Sequence, residues 1–264
     1  MMYYQRGSEN DDLGMDGLRE GLFKALDKLG RRSKVLAIPP DFTRKHSFAG
    51  PLTGMADNYY NSAMTDILPA LGTHVPMTER EIGEMFQGVA ADKFRVHNWR
   101  KDIHTLGEVP AEYVSEVSGG IISSLWPAQV NRLLIEGGFD LILSIGQVVP
   151  HEVVGMANYN KNIFVGCGGP EGINTSHFLG AAYGMEKMMG RADTPVRRVL
   201  NYASEHFATD LPIVHVQTVV SPDENRNLKV RGLYIGDDME CFELASELSI
   251  RVNFEMLDKP LEKV

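Results

Sequence analysis

Two neighbouring stretches, DLILSIG at residues 140–146 and HEVVGMANYNKNIFVGCGGPEGINTSH at residues 151–177, decide how the rest of the chain is read. The first is a short apolar run bounded by glycines, the mark of a buried strand, so His151 falls just past a strand's carboxyl end. Open α/β sheets bind their ligands at that edge. After Lys161 comes NIFVGCGG, a second apolar run, read as a strand that ends in Gly166, Gly168 and Gly169. Asn174, Thr175 and Ser176 then offer N-cap chemistry for a helix that carries His177. Two strand ends and a helix start converge on one crevice, where glycines let backbone N–H groups approach an anion and a helix N-terminus favours negative charge. Locally, His151, Lys161 and His177 each have two readings, as surface or satisfied core residues or as groups lining that crevice.

At 264 residues and 43% hydrophobic content the chain can bury a real core as one large domain or one domain with an appendage. The formal net charge of −9, with no block of basic residues, argues against a nucleic-acid or anionic-membrane surface. Cys167 and Cys241 match no zinc spacing and read as reduced thiols, Cys167 either near the site or as a small buried residue. The N-terminus has no apolar signal region and no stretch approaches the ~18 apolar residues of a membrane span, so the expected location is cytoplasmic.

Residues 13–29 place Leu18, Leu22, Leu26 and Leu29 at helical spacing, with Gly30 as the stop. Residues 35–38 form a buried strand, and Asp41-Phe42-Thr43-Arg44 is a polar cluster beyond it. Asp41 and Arg44 are either a structural ion pair at a turn, or Arg44 is a bidentate ligand for a carboxylate or phosphate. Residues 57–68 are expected as a helix ending at Pro69. Thr78 and Glu81 make a capping box that opens a helix through Phe86, which leaves His74 on a loop, where catalytic residues gather. Residues 94–96 read as a strand leading to His97 and Asn98, which lie at the same edge or in a surface turn. Residues 109–122 are ambiguous between strand and loop, and 127–136 are expected as a helix with Pro127 at its first position. Helices at 176–189 and 194–207, a hairpin of strands 213–220 and 228–235, a helix at 237–248 and a strand at 250–254 complete the reading. Strands alternate with helices, so the fold class is α/β, Rossmann-like, with a mostly parallel sheet flanked by helices.

DFTR at 41–44, GTHVPMTEREI at 72–82, VVPHEVVG at 148–155, the lysine ten residues after His151 and the histidine sixteen after that lysine together resemble the lactate racemase family. The resemblance runs from about residue 33 to 235. It implies an N-terminal lobe over residues 1–235, with 236–264 a helix and strand that begin a second lobe. It also implies a cofactor, a nickel-pincer nucleotide (nickel pyridinium-3,5-bisthiocarboxylic acid mononucleotide), attached covalently to Lys161. On this resemblance His177 is the nickel ligand and His74 and His151 are the acid/base pair. Arg44 steadies the carboxylate of a 2-hydroxy acid, Asp41 contacts the cofactor or orients a neighbour, and Gly166, Gly168 and Gly169 hold the phosphate. The implied activity is that of an isomerase, a racemase or epimerase working by hydride transfer. The implied partner is a small 2-hydroxy acid; both a monomer and a homo-oligomer are compatible with the sequence.

The sequence departs from the family at three places. DHTRP has become DFTRK, HRPM has become HVPM, and the GxSGGxK loop reads Gly155-Met156-Ala157-Asn158-Tyr159-Asn160-Lys161. Family members carry a second lobe that closes over the cofactor, whereas this chain stops soon after the crossover begins; the expectation is a truncated piece or a short variant, folded and able to bind nucleotide but poorly active by itself. A second hypothesis is a non-catalytic α/β domain binding a nucleotide or small acid. A third is a zinc hydrolase using His74, His151 and His177.

Overall fold

The computed structural model describes residues 1–254. In chain order the elements are β1 (Met2–Gly7), α1 (Gly14–Leu29), β2 (Val35–Ile38), α2 (Ala49–Tyr60), β3 (Met64–Ile67), α3 (Glu79–Met85), β4 (Ile103–Val109), α4 (Ala111–Ser118) and β5 (Trp126–Asn131). They continue with α5 (Leu133–Glu136), β6 (Leu141–Gln147), β7 (Pro150–His151), β8 (Gly155–Met156), α6 (Pro170–Tyr183), α7 (Met185–Met188), α8 (Pro195–Phe207), β9 (Ile213–Pro222), β10 (Leu228–Gly236) and α9 (Met239–Asn253). The main sheet has the order β1-β10-β9-β6-β2-β3. β3, β2, β6 and β9 pair in parallel, and β10 and β1 add an antiparallel edge. This is the expected α/β architecture, with a mostly parallel sheet between helices.

Both faces of that sheet are covered, and the strand sequences say why. All four residues of β2 are buried; Val35 and Ala37 pack with α1 and α2, while Leu36 and Ile38 pack with the layer containing α6, α8 and β5. A strand buried on both faces reads as an unbroken apolar run, as VLAI and LILSIG do. Burial of each large apolar side chain stabilises the fold by about 1.5–3 kcal/mol. α1 ends where expected, at Gly30 with φ 75°, and Thr78 and Glu81 close the capping box of α3.

Several expected elements are different in the fold. The helix placed at 57–68 ends at Tyr60, and Met64–Ile67 form β3 instead, because that run pairs with β2. Residues 94–96 make only a single bridge, Phe94 to Ile67. The helix placed at 127–136 is mainly strand: Trp126–Asn131 are all buried and pair with β4, leaving one helical turn in α5. The ambiguous 109–122 segment holds α4, closed by Gly119 in the left-handed region. NIFVGCGG is a π-helix over Asn162–Gly166, not a strand, and the following helix starts at Pro170 rather than beside Asn174. The strand placed at 250–254 is the last turn of α9 through Asn253. β1 was not anticipated; its ladder partner lies at the far end of the chain, on β10. Among the described residues no helix is long and apolar enough to cross a membrane.

Candidate functional site

The parallel strands β2, β3 and β6 end along one rim, and a cavity of about 240 Å³, partly open to solvent, lies there. Asp41, Arg44, His74, His151, Lys161, Gly166 and His177 all line it. Each arrives from a different element. Asp41 caps the 3₁₀ turn Phe42–Ser47 that follows β2, and Arg44 sits inside that turn. His74 lies on the loop after β3, whose Gly72 N–H donates to the Gly166 carbonyl at 2.7 Å. His151 is placed by the short β7–β8 hairpin beyond β6. Lys161 immediately precedes the π-helix, and the next residue, Asn162, donates to the Ile38 carbonyl at 3.0 Å and to Ser144 Oγ at 3.2 Å. His177 is two turns into α6.

The ion pair considered between Asp41 and Arg44 does not form. Asp41 is buried, and its carboxylate bonds to the Thr43 N–H and hydroxyl and to Nδ1 of His74. Asp41 therefore orients a neighbour, leaving Arg44 exposed on the wall. With Nδ1–H of His74 directed at a carboxylate, its Nε2 is the acceptor. His151 has the opposite arrangement. Its Nδ1 accepts from the Val153 N–H at 3.1 Å, so Nε2 carries the proton of the neutral ring. Burial pushes its pKa down to about 2, with the positive charges of Lys161 and Arg44 as the next causes. Burial likewise lowers Lys161 to about 8, helped by Arg44. At His177, Nδ1 donates to the Ile173 carbonyl at 2.7 Å, which leaves Nε2 free to bind a metal.

Not every expected residue reaches the cavity. Gly168 and Gly169 pack against protein: a Cβ at Gly168 would stand 1.9 Å from the Phe164 carbonyl oxygen, and one at Gly169 2.4 Å from Gln129 Oε1. The Gly172 N–H in the first turn of α6 is used by Gln129 at 3.3 Å, so the phosphate cradle expected at 166–172 is not formed. His97 is neither at the rim nor in a surface turn. It is buried, bonded to the Gly168 carbonyl and to Asn131, and burial lowers its pKa. Cys167 and Cys241 are buried free thiols whose pKa values burial pushes up. Among the described residues no group of three His, Cys, Asp or Glu is placed to hold a metal, so the three-histidine zinc site does not assemble. Sequence reasoning missed Asn158, Thr73, Gln147 and Glu152, which also line the cavity. The only local signal was the tolerance of asparagine for the left-handed region, where Asn158 lies.

The sequence model of the lactate racemase N-terminal domain matches residues 23–189. A solved structure of a protein from Thermotoga maritima superposes with a TM-score of 0.85 at 29% identity, covering 97% of this chain and 63% of that one. The lactate racemase apoprotein from Thermoanaerobacterium thermosaccharolyticum superposes with a TM-score of 0.67 at 22% identity, covering 96% of this chain and 57% of that one. The chain thus spans less than two thirds of the length of either relative. A search of curated protein sequences returns no match.

Proposed function

Since the chain belongs to the lactate racemase family through its N-terminal domain, we propose that it carries a nickel-pincer nucleotide on Lys161 and interconverts the stereoisomers of a 2-hydroxy acid. One observation carries the reading: Lys161 shares a single cavity with His74, His151, His177 and Arg44. The residues fit the group. A lysine brought down to about 8 has an appreciable free-amine fraction near neutral pH, which suits it to covalent attachment. His177 offers one imidazole nitrogen, a good donor for nickel, and the bound nucleotide brings the other donors itself. Thr73 on the wall offers a hydroxyl donor to the phosphate in place of the glycine loop, which leaves Arg44 for the substrate.

When bound, such a group would supply a reversible hydride acceptor for the α-hydrogen of the substrate. The chain does the rest. Arg44 pairs with the substrate carboxylate in the two-point geometry that guanidinium allows. His74, held by Asp41 with Nε2 as acceptor, takes the hydroxyl proton. His151, with Nε2–H as donor, hydrogen-bonds the developing carbonyl oxygen, and the proton taken by His74 goes back to that oxygen. A pair of histidines in opposite tautomers serves both directions of an isomerisation, and a non-catalytic binding domain has no need of it.

The test is intact mass spectrometry of the chain co-expressed with the enzymes that make the cofactor. The expected result is a covalent mass increase, located on Lys161 and accompanied by nickel, that Lys161→Ala abolishes while the fold is retained. Nickel and nucleotide held equally well by Lys161→Ala overturn the assignment.

A further inference from the structure

The wall between β8 and Lys161 contains two adjacent non-glycine residues in the left-handed region, Asn158 at φ 66° and Tyr159 at φ 57°. Such a conformation is unfavourable, above all for a bulky side chain, and persists only where surrounding structure enforces it. Here the enforcement is visible. Arg197, 1% exposed, donates to the Met156 carbonyl at 2.6 Å, reaches the Asn158 carbonyl with both terminal nitrogens at 3.4 Å, and bonds the Asn160 side chain. Tyr159 turns away from the cavity and stacks on Phe242, with centroids 5.2 Å apart and planes 17° apart. Asn158 turns the other way and lines the cavity, only 7% exposed.

Nothing in the described chain uses the Asn158 amide nitrogen. The amide lies flat against Gly146, where a Cβ would stand 3.2 Å from its carbon, nitrogen and oxygen alike, and Nδ2 is buried without a hydrogen-bond partner. Buried polar groups in native proteins are almost always paired, so an exception calls for an explanation. With no partner holding it, a half-turn about the terminal torsion brings either the N–H₂ or the oxygen to the cavity. The charge around the cavity selects the donor. Of the two carboxylates that also line the cavity, Asp41 is taken up by Thr43 and His74 and Glu152 is largely exposed to solvent, so Arg44 and Lys161 favour an anionic ligand, whose oxygens need N–H groups.

We propose that Asn158 is a ligand-binding residue, its amide N–H donating to a thiocarboxylate oxygen on the ring of a pyridinium mononucleotide held in the cavity beside Lys161, a group for which a ring carboxylate stands in below. The class of ligand rests on the function proposed above. The role of Asn158 rests on its strained backbone and unpaired amide.

The test uses a non-covalent probe, nicotinic acid mononucleotide, titrated calorimetrically into the unloaded chain, with nicotinamide mononucleotide as the analogue whose ring carries a neutral amide. Asn158→Gly keeps the left-handed backbone without strain, and Asn158→Asp keeps the shape while removing the donor and adding a negative charge. Loss of a hydrogen bond to a charged group should weaken nicotinic acid mononucleotide binding by about 10-fold or more in either variant. The preference over nicotinamide mononucleotide should shrink in Asn158→Gly, whose thermal midpoint should equal or exceed that of the parent. A structural role predicts the reverse, a lowered midpoint with undiminished affinity. Affinity or preference unchanged in Asn158→Gly overturns the inference, and the functional reading then still stands on the Lys161 mass. Failure of the parent chain to bind the carboxylate probe overturns the inference too, while the tethering experiment decides the functional reading separately.

Discussion

Lys161 bears on the state of His151 as well as on attachment. Burial is the largest cause of the lowered His151 pKa and the charge of Lys161 is the next. Lys161→Met, or acylation of the amine, removes that charge. His151 should then titrate higher than in the parent chain, though still below 6.5 because its burial is unchanged. An NMR titration of the His151 ring measures this directly, and identical midpoints in the two proteins would refute it. On the function proposed above, tethering through the amine would remove this charge and raise the His151 pKa in the same direction. Asp41 sets the state of His74 in a different way, by holding one ring nitrogen. Asp41→Asn should leave the fold intact and lower turnover of the loaded enzyme by about 10–100-fold, the usual cost of losing a partner that orients a working histidine. Turnover equal to the parent would show that the Asp41–His74 bond is not used.

At the scale of elements, the decisive unit is the run from β8 through the π-helix to α6. It combines left-handed backbone at Gly155, Asn158 and Tyr159 with a wide turn at Asn162–Gly166, both of which are strained conformations that occur at functional sites. What holds this run is the first half of α8. Thr194 caps that helix and donates to the Val154 carbonyl at 3.1 Å, and Arg197, one turn further on, donates to the Met156 and Asn158 carbonyls and to the Asn160 side chain. Arg197→Met retains most of the side chain's length but leaves the carbonyls of Met156 and Asn158 without their donor. The expected loss is roughly 1–3 kcal/mol, the cost of unsatisfied buried acceptors. A urea melt gives that number, and hydrogen exchange should locate the loosened amides at 156–162. Exchange spread evenly over the chain would argue that Arg197 supports the core in general and not this segment.

The whole molecule should be acid-sensitive for a reason built into its sheet. His215 lies buried on β9, packed against Tyr159, and its Nδ1 has no partner. Burial brings its pKa to about 3, and His151 lies at about 2, both against 6.5 in the unfolded chain. Below 6.5 the unfolded state takes up protons that the native state refuses, so stability falls as pH is lowered, by about 1.4 kcal/mol per pH unit for each such histidine, until the folded pKa is reached. Above 6.5 the contribution is fully present. His215→Phe keeps an aromatic ring against Tyr159 and removes one titrating group. Its urea midpoint should fall less than that of the parent between pH 7 and pH 4.5, and parallel curves would show that His215 is not a source of the acid sensitivity.

The sequence by itself determined the elements whose signals are local. β2 and β6 were legible as unbroken apolar runs, α1 as a four-residue leucine period stopped by glycine, and α3 as a capping box. The turn at 221–225 marked the β9–β10 hairpin. Placing polar clusters just after β2 and β6 was enough to bring Asp41, Arg44 and His151 to one rim, because parallel strands share a carboxyl end; His74 follows β3, which reads as a helix, and His177 follows a π-helix that reads as a strand. Tertiary structure alone decided the rest. β3 and β5 have sequences that also suit helices, and only their ladders with β2 and β4, made to residues far along the chain, select the strand. Gly168 and Gly169 look like a phosphate cradle until the packing of Phe164 and Gln129 takes up the space beside them. The Asp41–His74 bond joins residues 33 positions apart. The left-handed turn at Asn158 and Tyr159 depends on an arginine 39 residues further on. No local pattern encodes such contacts, since their energies come from partners that only the folded chain brings within reach.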